Sequence, residues 1–576
     1  MQVVPVKGVA SLAWETRQED SRKNVCTPLP SALDAGLVPS FAEGKYMRQR
    51  ARDIRVRSRR QLRLKLGLLA AFSALTLIGT SGTASALPAA PHSAPAVPPV
   101  ALSAERPPTG TPSAETPPQQ ADEQKITSDT CSPASLKAKA EKAEPLSSRA
   151  PDGLAGRTII TCTKVNAPGS AASLAARAEV IRKARSASGN TDAERSVSLN
   201  KAKTAGAAAD DVGVLEYVDP PSWCFDHAFS GWWYTRSQEC QIRDITVVYL
   251  EIVNGRPIEV GTAKHIETSY IYMSGDIDNI INQIRINKYF AERAGTIDFW
   301  GLQQIRGWAT CSGDCKPISD TGLRTGNYTR NRNNDGEAAW EPSHDEVGAI
   351  THLAPTWNYY VTAAGFEPSE TVTVPPPPQI RCDNAFSTDG NDMGDYVPGT
   401  SVNSVFGAGC AVPVYVPTWI IYKNGLYPTV GWHVEAAQNS GLPGLYPSGD
   451  PLHRLTDSTK KRQNGDRACP PTPTWVRPAN KQCDEYPMRS TYEGASTANP
   501  AGTARTFAPP IQTMPTGEEW CEMDAAWAVP TGVTGPLGWS SCMLPSTDNS
   551  HQGAFLGGFY KTNRVLDNDP FRVWVQ

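Results

Sequence analysis

Twelve cysteines in six neighbouring pairs constrain this chain more than any other feature. The 576 residues hold thirteen cysteines, and the first, Cys26, stands apart in a stretch that reads as removable. Without it, an even set remains from Cys131 to Cys542. An exported chain with an even cysteine count reads as a disulfide framework, although spacing alone leaves the connectivity open. Neighbour pairing is the simplest arrangement: Cys131 with Cys162, Cys224 with Cys240, Cys311 with Cys315, Cys382 with Cys410, Cys469 with Cys483, and Cys521 with Cys542. Zinc is the weaker reading, because only Cys311-x3-Cys315 has metal-like spacing and no second pair answers it.

The N-terminal residues argue for export. A basic run from Arg48 to Lys65 precedes the apolar stretch Leu66 to Ile78 and the small-residue site Ala84-Ser85-Ala86. This is the layout of a secretory signal peptide, too short for a comfortable membrane span and without a stop-transfer pattern after it. Met47 directly precedes the basic run, so translation is expected to start there and residues 1–46 to lie upstream of it. Residues 1–86 carry 14 Lys and Arg against 6 Asp and Glu. Their removal leaves 41 against 52, a net charge of about −11. Bulk electrostatic binding of nucleic acid is thereby excluded; a nucleic-acid substrate has to be met at a local site with a cation.

Residues 87–210 are rich in Pro, Ala, Ser and Thr, then in Ala, Lys, Arg and Glu. They read as a linker with marginal helices, from Ser135 to Glu144 and from Ser170 to Ala208. Residues 211–374 read as a β-rich, sandwich-like accessory domain. Strand signals lie at Val214–Val218, Ile242–Val253, His265–Met273 and Trp357–Ala363, with an Asn254-Gly255 hairpin turn. Ile277, Ile280, Ile281, Ile284 and Ile286 instead carry helix-like spacing over Asp276–Ala294, with a strand as the alternative. The Trp and Tyr clusters read as core rather than as sugar or base platforms. His344-Asp345-Glu346 and His352 read as solvated loop residues rather than metal ligands. Pro375–Pro378 marks a boundary, and residues 375–439 read as a Pro-rich spacer with a disulfide-bracketed strand segment.

Chemistry-bearing residues concentrate in residues 440–576. Asp484, Glu485 and Glu493 fall within ten residues, and Asp548 and Asn549 follow about 55 residues on. Hard oxygen donors of this kind suit Mg²⁺, Mn²⁺ or Ca²⁺. Cleavage of a phosphodiester requires an activated water, a cation at the non-bridging oxygens and polar groups to position them. Ser550–Lys561 reads as a helix, placing Asp548 or Asn549 near its start as a ligand or as an N-cap, with Gln552 one turn on. His551 reads as solvent-facing. Arg564 reads either as a phosphate clamp or as a partner of Asp567 or Asp569. The chain has no GxGxxG, P-loop, HExxH or Gly-x-Ser-x-Gly motif, so dinucleotide binding, NTP hydrolysis, zincin proteolysis and α/β-hydrolase chemistry have no sequence support.

Several runs, in order, resemble the NucA/NucB deoxyribonuclease domain. They are Cys483-Asp484-Glu485-Tyr486-Pro487, Ser490-Thr491-Tyr492-Glu493-Gly494, Asp548-Asn549-Ser550-His551-Gln552-Gly553 and Asn563 to Phe571. The likeness covers roughly residues 440 to 576. Arg381-Cys382-Asp383 to Gly409-Cys410 and Trp432-His433-Val434 also resemble actinobacterial members. The resemblance implies a small ββα-metal nuclease domain in an α+β chain. It implies Asp484 as base and Asn549, with Asp548, as ligands of Mg²⁺ or Mn²⁺. Glu485, Glu493 and Gln552 are implied as further ligands or positioners. The sequence departs from the family pattern at Ala495, where a second Gly is common, and at Asp548, where a Glu is common. The expected function is a secreted, metal-dependent endonuclease acting on DNA with little sequence specificity. The alternatives are a secreted binding protein with an inactive nuclease-like domain, and an exported DNase toxin. The partner of the accessory domain is unassigned.

Overall fold

The computed structural model describes residues 117–121, 130–146, 148, 154–166, 178, 191–207, 217–290, 303–323, 334–344, 346, 348–363, 368–385, 407–425, 427–498, 506–507, 521 and 535–576. The leader, the start at Met47 and most of the linker lie outside these residues, as does most of the Val214–Val218 strand. All the described residues fall within one unit, Gly110–Gln576. Its architecture is mixed and mostly β.

The first sheet is built on long antiparallel strands. In chain order come β1 (Gln119–Gln120), helix α1 (Pro133–Ala140), β2 (Ile159–Val165), α2 (Thr191–Ala207), α3 (Ser222–Asp226), β3 (Trp233–Tyr234), β4 (Gln238–Val253), β5 (Arg256–Ser274) and β6 (Ile277–Phe290). β7 (Gln303–Gly313) belongs to the second sheet, and β8 (Cys315–Asp320) and β9 (Asn334–Pro342) close the first. Its order is β1-β3-β4-β5-β6-β9-β8, with β2 also on β4. Asn254 and Gly255 turn β4 into β5 with φ of 53° and 73°, the left-handed pair that an Asn-Gly hairpin favours.

Of the helix and strand readings of Asp276–Ala294, the strand holds over Ile277–Phe290, where β6 pairs with β5 and β9. The reason is burial on both faces. Ile280, Ile284 and Ile286 enter the core between the sheets, while Ile277 and Ile281 pack on the opposite face with Leu199 and Ala202 of α2. A strand covered on both sides loses its alternation, and its isoleucines then mimic a helical period.

The second sheet contains β7, β10 (Ile350–Ala363), β11 (Val372–Thr373), β12 (Ile380–Asp383) and β13 (Gly409–Ala411), in the order β11-β10-β12-β13 with β7 also on β10. The two sheets share one core, in which Trp357 and Tyr359 of β10 meet Ile271 and Ile284. A fully buried Arg243–Glu267 pair, bonded twice at 2.7 Å, also accepts the Tyr359 hydroxyl at 2.6 Å. The Pro375–Pro378 run does not end this body. β12 returns to β10, and Cys382–Cys410 joins β12 to β13.

The C-terminal layer begins with β14 (Thr418–Ile421) and α4 (Pro428–Asn439), so part of the expected spacer belongs to it. β15 (Leu452–His453), α5 (Ser458–Ala468), β16 (Lys481–Tyr486), β17 (Thr506–Phe507), β18 (Trp539–Pro545), α6 (Ser546–Thr562) and β19 (Pro570–Val575) follow. They form two three-stranded sheets, β14-β19-β15 and β16-β18-β17. Their core gathers Val434, Tyr486, Leu544, Leu556, Tyr560 and Phe571. All six disulfides join neighbours, with Cα–Cα distances from 4.0 to 6.1 Å. Among the described residues, no helix is long and apolar enough to cross a membrane.

Buried charges join this layer to the sandwich. Arg564 has φ +48° just after α6 and is fully buried. Its ion pair is made with Asp383, where the sequence offered Asp567 or Asp569. Its guanidinium grips the buried Asp383 carboxylate of β12 and donates to the carbonyls of Asp383 (2.7 Å), Gly275 (3.1 Å) and Gly407 (3.2 Å). With every direction occupied by protein, it is not placed to clamp a phosphate. The Arg564 carbonyl accepts from Arg236 at 2.8 Å and Arg381 at 2.5 Å. Asp569 takes two bonds from Arg381, at 2.9 and 2.7 Å. Burial opposes its ionisation, but Arg381 and then Arg236 hold Asp569 below the usual carboxylate range. Gly275 permits the approach, since a Cβ there would collide with the Thr562 carbonyl oxygen.

Candidate active site

The site is organised by the β16–β18 ladder, in which Gln482, Asp484 and Tyr486 stand opposite Leu544, Cys542 and Ser540. Residues directly opposite share a face, and successive residues alternate. Cys542, Leu544 and Tyr486 enter the core with α4 and α6, so this face also carries Asp484. The other face carries Cys483, Glu485 and Ser541. There Cys469–Cys483 ties β16 to the end of α5, and the Ser541 hydroxyl donates to the Ala468 carbonyl at 2.6 Å.

Asp484 is 6 % exposed. Its Oδ2 lies 2.6 Å from Nδ1 of His433 on α4, and His433 Nε2 lies 2.8 Å from Ser540 Oγ. His433 and Ser540 are both 0 % exposed. Asp484 Oδ1 has no hydrogen bond among the described residues. Sequence reasoning gave His433 no role: it lies 51 residues from Asp484, and only its place in Trp432-His433-Val434 drew notice.

Helix α6 begins at Ser546 after an N-cap, Pro545, that has no side-chain cap bond. Asp548 and Asn549 therefore lie within the first turn, and the N-cap alternative for them does not apply. Asp548 Oδ2 accepts from Thr429 at 2.6 Å. Asn549 Nδ2 donates to the Cys483 carbonyl and to Gln482 Oε1, both at 3.3 Å. The Asn549 amide thus straps α6 to the strand beside Asp484, leaving Oδ1 without a protein partner among the described residues. Gln552, one turn on, is buried, and its side chain makes no hydrogen bond among them. His551 is exposed, bonded to the Thr547 carbonyl at 2.7 Å and stacked on Tyr427 at 4.7 Å.

Two other candidates are placed differently. Glu485, on the opposite face, has Oε2 3.7 Å from Cys469 Sγ. Burial, and then the Asp484 charge, push its carboxyl up to about 7 against the opposing effects of Arg489 and Arg477. The folded state therefore binds the proton more tightly than the unfolded chain. This contribution to stability is greatest below the ordinary value near 4.5 and falls as pH rises towards 7, by at most about 3 kcal/mol because Glu485 is only half-buried. Glu485→Gln is expected to flatten this slope, which thermal unfolding of both proteins from pH 4.5 to 8 checks. Glu493 is held by His453, accepting from its backbone N–H and meeting Nδ1, each at 2.8 Å.

Among the described residues, no three His, Cys, Asp or Glu side chains gather closely enough to enclose a metal ion. His344 and Glu346 are exposed and 4.0 Å apart. The unengaged Asn549 Oδ1 and the Asp548 carboxylate, whose oxygens accept from Thr429 and Thr547, are hard donors. They fit a Mg²⁺ or Mn²⁺ ion that keeps most of its water and takes only one or two protein ligands. The chain matches no protein-family model, no curated protein and no solved structure.

Proposed function

We propose that the C-terminal layer is a metal-dependent endonuclease of the NucA/NucB type, acting on DNA with little sequence specificity outside the cell. The observation that carries the reading is the Asn549 amide resting on the Cys483 carbonyl. It brings the helix residue that the resemblance makes a metal ligand beside the strand residue that it makes a base. The strand–strand–helix frame of β16, β18 and α6 is the arrangement a ββα-metal site requires. Six disulfides suit an oxidising compartment.

In this reading Asp484 Oδ1 takes the proton from the attacking water while Oδ2 remains on His433. Asn549 and Asp548 would hold the ion, which when bound polarises the phosphate and offsets its charge. Gln552 offers an unengaged amide one turn along the same helix for positioning a phosphate oxygen. Glu485 acts from behind the strand, where its charge bears on Asp484. Glu493 and His453 brace the turn that carries Tyr492 against β15.

The second reading, a secreted binding protein with an inactive nuclease-like domain, is favoured by the small ligand set and by the acidic chain. An exported toxin would use the same chemistry. Supercoiled plasmid with Mg²⁺ or Mn²⁺ separates activity from inactivity. Nicked and linear products that vanish with EDTA support the nuclease; intact plasmid with both metals rejects it.

A further inference from the structure

The His433 imidazole has both nitrogens engaged and no exposed surface, so it cannot touch a substrate. Ser540, Asp484 and His433 have the connectivity of a serine-hydrolase triad, but the accessible end is different. Ser540 is fully enclosed within a strand, whereas Asp484 retains some exposure and a free oxygen.

Proton accounting fixes the arrangement. His433 Nε2 is the only hydrogen-bond partner of Ser540 Oγ among the described residues. If Nε2 carried a proton, it would donate to Oγ, and the serine hydrogen would be left without an acceptor among the described residues. Such a group costs about 1–3 kcal/mol. If instead the serine donates to Nε2, the histidine proton sits on Nδ1 and points at Asp484 Oδ2. Every polar atom of Ser540 and His433 is then satisfied, and the three-residue unit keeps the single negative charge of Asp484.

We propose that His433 is a positioning residue, neutral with its proton on Nδ1. Ser540 fixes that tautomer, and His433 holds Asp484 so that Oδ1 faces the reaction. The proposal rests on Asp484 as the base, and it assigns Ser540 to the anchored end rather than to nucleophilic attack.

Nitrogen-15 NMR of the full chain labelled at histidine tests the tautomer without requiring activity; His433→Gln identifies the signal. One protonated and one bare ring nitrogen, with Nδ1 the protonated one, is the expected result. An imidazolium, or a proton on Nε2, overturns the proposal. Plasmid kinetics test the positioning. His433→Leu is expected to lower kcat about 10- to 100-fold with KM little changed, the usual scale for a residue that orients a functional group. His433→Gln, which can still donate to Asp484, is expected to recover part of that loss. Full kcat in a folded His433→Leu variant overturns the positioning role, as does labelling of Ser540 by a fluorophosphonate. If the unaltered protein cleaves no DNA, the nuclease reading and with it the positioning role fall, whereas the NMR result still decides the tautomer.

Discussion

Replacing Arg564 with alanine is expected to destabilise the protein by about 3–5 kcal/mol, the scale for removing one member of a buried ion pair. The loss is large because Arg564 and Asp383 are both fully buried. Truncation leaves the Asp383 carboxylate without its guanidinium and removes the donor to the Gly275 and Gly407 carbonyls. It also removes the anchor that holds residue 564 at positive φ, a conformation that costs a non-glycine residue about 1 kcal/mol or more. Urea unfolding monitored by tryptophan fluorescence checks this. A phosphate-clamping arginine would behave differently: its alanine variant would keep its stability and lose only activity. The neighbouring Arg236, pushed down to about 10 by burial and then by the Arg381 charge, shows how closely the cations are packed. Asp383 and Asp569 are their counterweights, so Asp383→Ala is expected to be as damaging as Arg564→Ala.

Asp484→Asn is expected to lower DNA cleavage by about 10²–10⁴-fold, the usual contribution of a positioned general base. The amide has nearly the shape of the carboxylate and can still accept from His433 Nδ1, so the fold should be retained. Asn549→Ala is expected to abolish cleavage for a different reason. It removes the proposed metal oxygen and also releases α6 from the Cys483 carbonyl. Excess Mn²⁺ should therefore recover part of the loss in Asn549→Ala if the defect is in metal affinity, and none of it in Asp484→Asn.

The disulfide framework was legible because each cysteine has its partner as the next in sequence, so neighbour pairing coincides with the folded pairing. The Asn254-Gly255 hairpin was legible because its signal is local. Strand β6 was not, because burial on both faces erased the period that identifies a strand. Nor was the extent of the sandwich: Pro375–Pro378 looks like a spacer, and only the return of β12 to β10 shows that the sheet continues. At the site, the motifs pointed to Asp484 and Asn549; Asp484 lies on β16, and the Asn549 amide of α6 rests on the neighbouring Cys483 carbonyl. Their surroundings depended on long-range packing. His433 reaches Asp484 across 51 residues, and Asp383 reaches Arg564 across 181. The opposite facing of Asp484 and Glu485 was legible too, because consecutive residues on a strand face opposite ways.

The most direct test compares initial rates of supercoiled-plasmid nicking by the unaltered protein and by Asp484→Asn, at one Mn²⁺ concentration and at neutral pH. Circular dichroism confirms that both are folded, and EDTA serves as the blank. Metal-dependent nicking by the unaltered protein, with a rate at least about a hundredfold lower in the variant, is the expected result. Equal rates in the two proteins, or nicking that persists in EDTA, would contradict a metal-dependent nuclease that uses Asp484 as its base.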